Sequence, residues 1–405
     1  MPNSGEDISN LCFYCSLSMS KLSKNFFKMQ GAYFRFLGFD IADGEQGWQY
    51  PWKTLWCMLP LAGVQPMIVA YIIVNAGSVD KVDRMTEAIA SILLDLLSLF
   101  KLGLMIWQHK EYRRLIVRFR SMLTQACDDW IPARIINEEN EREQRISQRY
   151  KWSFLLTGAL SALMPLITTM MMYLNSGVLQ PQNSFPCVYP WNNEHLQNAL
   201  FSYLFTVAAI FGVISGTICM DAFFMSLTHN LVALFKVAQY HMQLNTTTLQ
   251  QTQTRLGVVF QLYKDTVDIS TAVKHSFRPL VCVQLVIASL HLCVIGYTLS
   301  MNFNQVQMPF YVMFTMSVLS QLGMYCYCGQ QVKTESIRFA EAIYDCPWYK
   351  SAATSPAIGL SLRISMMRAQ RGCIIDGYFF DANMEVFLTI VRKSMSYFTL
   401  LRSIS

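Results

Sequence analysis

Apolar residues run through this chain in long stretches broken by polar, charge-bearing connections. Segments 54–74, 152–174, 196–220, 279–301 and 308–332 contain no Asp, Glu, Lys or Arg. Each meets the roughly 20 residues a helix needs to cross a hydrocarbon core. A sixth segment, 86–107, is comparably apolar but includes Asp95 and Lys101. Lys101 is expected to snorkel toward the nearer interface, whereas Asp95 needs an internal partner or water. For Asp95, a helix-to-helix hydrogen bond and a place near ligand or ions both stay open. A seventh segment, 377–401, contains Asp381, Glu385, Arg392 and Lys393. Hydropathy alone rejects it as lipid-facing, so it is either soluble or faces water within the membrane.

The connections carry a helical period of their own. Leu227, Leu231, Leu234 and Val237 recur at spacings of three and four, as do Val259, Leu262 and Val267 on the return. Helices four and five are therefore expected to continue past the bilayer and pack together. Ile337, Ala340, Ile343 and Tyr344 do the same before the Cys346-Pro347-Trp348 break, and Ser355-Pro356 suits a helix start. These extensions predict a cytoplasmic helical domain.

Lys and Arg counts in the leader and the six connections test orientation, because basic residues are retained on the cytoplasmic side. With the leader taken as 1–52, they read 4, 2, 10, 0, 5, 0 and 6 along the chain. The alternation predicts a cytoplasmic N-terminus, opposite to a G-protein-coupled receptor, and demotes that class.

Composition agrees with the pattern. Of 405 residues, 53% are hydrophobic and 14% charged, against about 25% charged in an average soluble domain. The net charge of +6 is spread through connections without interleaved aromatics, which gives nucleic-acid binding little support. The twelve cysteines are scattered, with Cys219, Cys282 and Cys293 inside apolar runs. No disulfide framework is inferred, since a thiol there behaves as a small hydrophobe. The opening MPNSGEDISN lacks the features of a secretory signal, so the first helix is expected to act as its own insertion signal. The sequon Asn245-Thr246-Thr247 falls on the predicted cytosolic side, where it goes unused.

Catalytic and metal chemistry find no constellation. Cys12 and Cys15 have redox or zinc spacing, but no second pair or histidine pair accompanies them. Cys326 and Cys328, near the inner end of the sixth segment, read as packing residues. The six histidines are isolated, with no HExxH, GxSxG or phosphate-binding glycine loop, and His291 reads as a hydrogen-bonded structural group. No enzyme activity, cofactor or metal is expected.

The last segment carries most information. On a helix over 392–403, Ser396, Leu400 and Ser403 share one face, with Lys393 one turn earlier. A polar stripe interrupted by leucine suits a water-filled path with a hydrophobic constriction, and a surface amphipathic tail fits the pattern as well. The same tail, RKSMSYFTLLRS, resembles the C-terminal signature of insect odorant receptors. Residues 330–349 (QQVKTESIRFAEAIYDCPWY) and Gly377-Tyr378-Phe379 are similar to that family's end of helix six and start of helix seven.

The resemblance implies an all-α membrane protein with seven transmembrane helices, a cytoplasmic N-terminus and an extracellular C-terminus. It divides the chain into a cytoplasmic segment 1–52, helices one to six over 53–328, a cytoplasmic anchor 329–376 and a pore-lining helix 377–405. It implies a tuning subunit in a heterotetramer with the odorant receptor co-receptor, forming a non-selective cation channel opened by a small volatile. The compact fourth connection and the SYFTLL tail fit the tuning type. Carried over on the tail, Leu400 falls at the pore constriction and Ser403 just outside it, with Ser396 and Lys393 on the same path. The family's pocket lies in the outer half of each subunit, among helices two, three, four and six. In this sequence those halves supply Ile89, Ile92 and Leu93, then Leu166, Ile167 and Met170, then Phe201, Phe205 and Ala208, then Tyr311, Phe314 and Thr315. Such a lining is nearly charge-free and suits a neutral volatile held by dispersion and shape. Membrane lipid and permeating cations complete the implied partners, and the plasma membrane of a sensory dendrite is the implied location. A gustatory-type receptor is expected to share the topology but end in a different tail, and a transporter to show two related halves.

Overall fold

The computed structural model describes residues 28–38, 51–76, 82–127, 129–177, 185–193, 195–243, 249–301, 308–346 and 355–404. Cys12, Cys15 and the 245–247 sequon lie outside them. Among the described residues the chain is helical, and its one β feature is an isolated bridge between Asp376 and Asp381. The helices are α1 (Lys28–Phe36), α2 (Pro51–Asn75), α3 (Val82–Trp107), α4 (His109–Ala126) and α5 (Trp130–Ser176), then α6 (Leu196–Gln243), α7 (Leu249–Met301), α8 (Met308–Asp345), α9 (Pro356–Ala369) and α10 (Met384–Ile404).

Among the described residues five helices, α2, α3, α5, α6 and α7, are long and apolar enough to cross a membrane. α8 is not among the five: Ser317, Gln321 and Tyr325 dilute its apolar character and turn inward, where all three are buried. The 48 residues of α6 make a rod about 72 Å long, more than twice the roughly 30 Å of a hydrocarbon core. The 53 residues of α7 make a longer one. The periodic residues beyond the apolar runs serve as expected, with Leu227, Leu231, Leu234, Val237, Val259 and Val267 all buried. α5 shows the same behaviour where only a basic connection was expected. Its charged first half, from Trp130, is continuous with the apolar half, and Arg134–Glu138 and Asn137–Glu141 hydrogen bonds one turn apart support it.

α6 is the hub. Every residue from Gly216 to Phe235 is buried, the condition of a helix surrounded on all sides. α2 can lie against it because Gly212 has no side chain: a Cβ there would sit 2.6 Å from the Cys57 carbonyl oxygen. Phe223, Phe224, Phe277 and Tyr112 interlock with ring centroids 5.3 to 5.7 Å apart. Phe34 of α1 meets Phe223 edge-on at 5.0 Å.

Before the last helix the chain makes a tight turn over residues expected to begin it. Gly377 N–H donates to the Phe380 carbonyl at 2.7 Å, Tyr378 has φ 65°, and the Arg278 guanidinium lies over its ring at 4.5 Å. Asp376 is held by Lys274 at 2.7 Å and Arg278 at 2.8 Å. The helix itself starts at Met384, because the Asn383 side chain caps it by accepting from Val386 N–H at 2.8 Å. α10 then packs on α7 and α8, leaving Leu388, Arg392, Lys393, Met395 and Ser396 exposed.

Candidate functional site

Between α3, α5, α6, α7 and α8 the bundle lines a partly open cavity of about 550 Å³. α8 contributes Phe310, Tyr311, Phe314, Ser317, Val318 and Gln321, and α6 contributes Ile210, Val213 and Ile214. One face of α5 supplies Phe154, Thr157, Gly158, Ser161, Met164, Pro165 and Thr168. From α3 come Arg84, Glu87, Ala90, Ser91, Leu94 and Asp95; α2 adds Tyr71 and α7 adds Ile295 and Thr298. Residues Phe185, Pro186 and Cys187 of the connection before α6 complete the wall. That connection is pinned by Val188 N–H donating to the Met67 carbonyl at 3.1 Å and by the Trp191 indole donating to Ser202 at 2.8 Å. Burial pushes the Cys187 thiol up to about 12 despite a hydrogen bond with Tyr189, so it stays a neutral wall group.

Aromatic rings and small polar groups share the lining. Phe310 and Phe314 stack with centroids 5.8 Å apart, and His291 meets Phe314 edge-on while its Nε2 pairs with the Ala90 carbonyl at 2.6 Å. Thr157 and Ser317 hydroxyls pair at 2.6 Å, Thr86 and Thr298 at 3.2 Å, and the Tyr311 hydroxyl donates to Glu87.

At the Gln321 end of the cavity lies a buried polar node. The Asp221 carboxylate accepts from Lys101 Nζ at 2.6 and 2.9 Å, Tyr150 OH at 2.5 Å, Tyr325 OH at 2.5 Å and Gln321 Nε2 at 2.8 Å. Lys101 and Asp221 are both fully buried. This corrects the expectation for Lys101: it does not reach an interface but turns inward to a carboxylate 120 positions later. A buried cation is tolerable only with such a partner, and the four donors on Asp221 approach the capacity of a carboxylate.

A second charged cluster joins the far halves of α5 and α6. Glu139, 8% exposed, meets Lys236 at 2.5 Å and His229 at 3.4 Å. Burial alone would raise the Glu139 carboxyl, but the hydrogen bonds and charges of His229 and Lys236 outweigh it and hold it at about 2.

Of the twelve pocket residues the sequence nominated, Tyr311 and Phe314 line the cavity. Ile92 and Phe205 pack in a small cluster around Val64, Ile68, Ala88 and Ala209, while Leu93 and Thr315 are half-buried off the lining. Ile89, Leu166, Ile167, Met170, Phe201 and Ala208 are exposed on the outside of the bundle. On the last helix Lys393 and Ser396 are exposed; the Leu400 and Ser403 side chains lie outside the described residues. The nearly charge-free lining expected from sequence contrasts with a cavity that carries Arg84, Glu87 and Asp95. The missed residues had a signal. Thr157, Ser161 and Thr168 recur at spacings of four and seven, and Glu87, Ser91 and Asp95 at four, each a small or polar stripe in an otherwise apolar helix.

The fold has known counterparts. The insect olfactory receptor OR5 from Machilis hrabei superposes with a TM-score of 0.76 over 94% of this chain and 98% of its own, at 13% sequence identity. The same receptor in complex with eugenol gives 0.73 over 97% and 99%. A family model described as 7tm Odorant receptor matches residues 81–395. The chain belongs to that odorant receptor family. Among Drosophila melanogaster relatives, putative odorant receptor 98b is 38% identical over 92% of this chain and 96% of its own length. Odorant receptor 47a is 36% identical over 94% and 100%. The receptor is thus a multi-pass helical membrane protein of the tuning type.

Proposed function

We propose that this receptor binds a small volatile in the cavity among α3, α5, α6, α7 and α8 and, with the odorant receptor co-receptor, forms an odorant-gated cation channel in the plasma membrane. The observation that carries the reading is the cavity of about 550 Å³, which falls within the roughly 300–1,000 Å³ typical of small-ligand sites. Aromatic walls with a few fixed polar groups fit an odorant held by dispersion and one or two hydrogen bonds. The alternating basic residues of the connections support seven spans with the N-terminus in the cytoplasm and the C-terminus outside.

In this reading α10 lines the pore, with Leu400 at its constriction, Ser403 just outside, and Ser396 and Lys393 along the water path. Exposed Lys393 and Ser396 on a helix packed against only part of the bundle agree with a face reserved for other subunits and water. A ligand opens the channel only as far as it binds the open state more tightly than the closed one. The test is current recorded from cells given a panel of volatiles, with this chain expressed alone, with co-receptor, and with co-receptor absent its partner. Odour-evoked current confined to the pair is the expected result. Current from this chain alone defeats the tuning-subunit assignment, and silence with every volatile defeats the receptor reading.

A further inference from the structure

One outer face of α5 turns from apolar to basic at a single level. Arg145, Arg149, Trp152, Leu156, Leu163 and Met170 recur at spacings of four, three, four, seven and seven, and all six are exposed. Trp152 to Met170 spans about 27 Å along the helix, close to the roughly 30 Å of a hydrocarbon core. Arg149 then falls about 4.5 Å beyond Trp152, within the headgroup layer, and Arg145 about 10 Å beyond it, at the outer edge of that layer. A second tryptophan marks the same level. Gly158 lies against Ile214 and Leu102 against Gly216, which sets Trp152 and Trp107 within about one turn of each other along the bundle. They are 67% and 78% exposed, as residues of an interfacial aromatic belt are.

The chain around this level carries cations without anions. Residues 28–38, 51–76 and 144–176 contain Lys28, Arg35, Lys53, Arg145, Arg149 and Lys151 and no Asp or Glu. α1 docks beside the stripe: Lys151 Nζ lies 5.8 Å from the centre of the Tyr33 ring and 6.0 Å from that of Trp152. Ala32, Arg35 and Phe36 form the exposed side of α1, the arrangement of an interfacial amphipathic helix. Elsewhere on α5, α6 and α8 basic groups find acids, as Arg134 does in Glu138, Lys236 in Glu139 and Arg338 in Glu335. Among the described residues, Arg35, Arg145, Arg149 and Lys151 have no such partner.

We infer that this face seats an anionic phospholipid of the cytoplasmic leaflet. Arg149, Lys151 and Arg35 attract its phosphate and charged headgroup, and its acyl chains run along Trp152, Leu156 and Leu163. A lipid changes from hydrocarbon to phosphate over the same distance as the stripe, whereas a second subunit seated there needs no change of character at that depth. The cytoplasmic leaflet is the anionic one, and it attracts basic groups placed just beyond a span. The inference uses the orientation proposed above and concerns a surface separate from the cavity.

The test uses the receptor with its co-receptor, purified in detergent and titrated with phosphatidylserine or phosphatidylcholine, with bound lipid read by native mass spectrometry. Detergent has no leaflets, so the result does not depend on which way the receptor faces. Phosphatidylserine should bind at a concentration at least about fivefold below that of phosphatidylcholine. One cation near an anionic surface is worth about fivefold in affinity, so Arg149→Gln with Lys151→Gln should weaken binding at this face about 25-fold. Lys151→Arg, which keeps the charge, should bind within about twofold of wild type. Arg363→Gln with Arg368→Gln removes the same net charge from exposed positions on α9 and should also stay within about twofold. Equal binding of the two lipids by the wild-type complex overturns the inference with no variant needed. Unchanged phosphatidylserine binding in the Arg149 and Lys151 double variant overturns the site. A loss as large in the α9 pair reduces the effect to net charge, and a loss as large in Lys151→Arg reduces it to packing; either overturns the inference too.

Discussion

The bundle holds two regions of opposite character, divided by the Asp221 node. On the cavity side, five helices stand far enough apart to leave about 550 Å³ between them. On the far side, α6 is buried along its whole circumference and the rings of Phe223, Phe224, Phe277 and Tyr112 fill the space around it. The lipid-facing surface adds little to this contrast, because apolar burial between helices gains nothing over contact with lipid tails. Order is instead supplied by close packing and by polar pairs.

Three experiments press on that division. The largest effect belongs to the boundary. Asp221→Leu leaves Lys101 buried without its carboxylate, at a cost of about 3–5 kcal/mol, and surface expression should fall below detection. Joint replacement of Lys101 and Asp221 by Met and Leu should recover part of it; no recovery at all would show that the node does more than satisfy its own charges. Next, Phe277→Ala in the solid region, where the ring is fully buried, should cost about 3–5 kcal/mol. Phe314→Ala on the cavity wall should cost distinctly less and change the ranking of volatiles. Equal losses of thermal stability in detergent would erase the distinction between the regions. The smallest effect is acid-dependent and confined to the far side. Glu139 is held at about 2, below its usual 4.5. Its contribution is complete above about pH 4.5 and is lost as pH falls toward 2. The melting temperature of solubilised receptor should decline through that window, and Glu139→Gln should start lower and decline less. Parallel curves would assign the acid sensitivity elsewhere.

How much of this was legible in the sequence follows from the same contrast. Helices, their extensions and the start at Pro356 follow from period, length and cap chemistry, which are local. The side of each helix that faces the cavity was not legible from apolarity, since lipid and protein interior are both apolar. Choosing large apolar residues nominated Leu166, Ile167, Met170 and Phe201, which point outward. The small and polar stripe through Thr157, Ser161 and Thr168 was the better guide, because an unsatisfied hydroxyl is costly against lipid. Glu87 was passed over at the start of an apolar run, and the inward turn of Lys101 depended on a carboxylate three helices later, on α6, which no local pattern reveals. The early boundary given to the last helix failed because Gly377 and Tyr378 make a turn that the Asn383 cap then ends.

The pairing of Lys101 with Asp221 also has a consequence for biogenesis. The two residues are 120 positions apart, and a ribosome adding about 5–20 residues per second needs on the order of ten seconds to make the second after the first. During that interval the second span holds a cation whose final partner does not yet exist. The final surroundings of Lys101 are therefore complete only once α6 has been made.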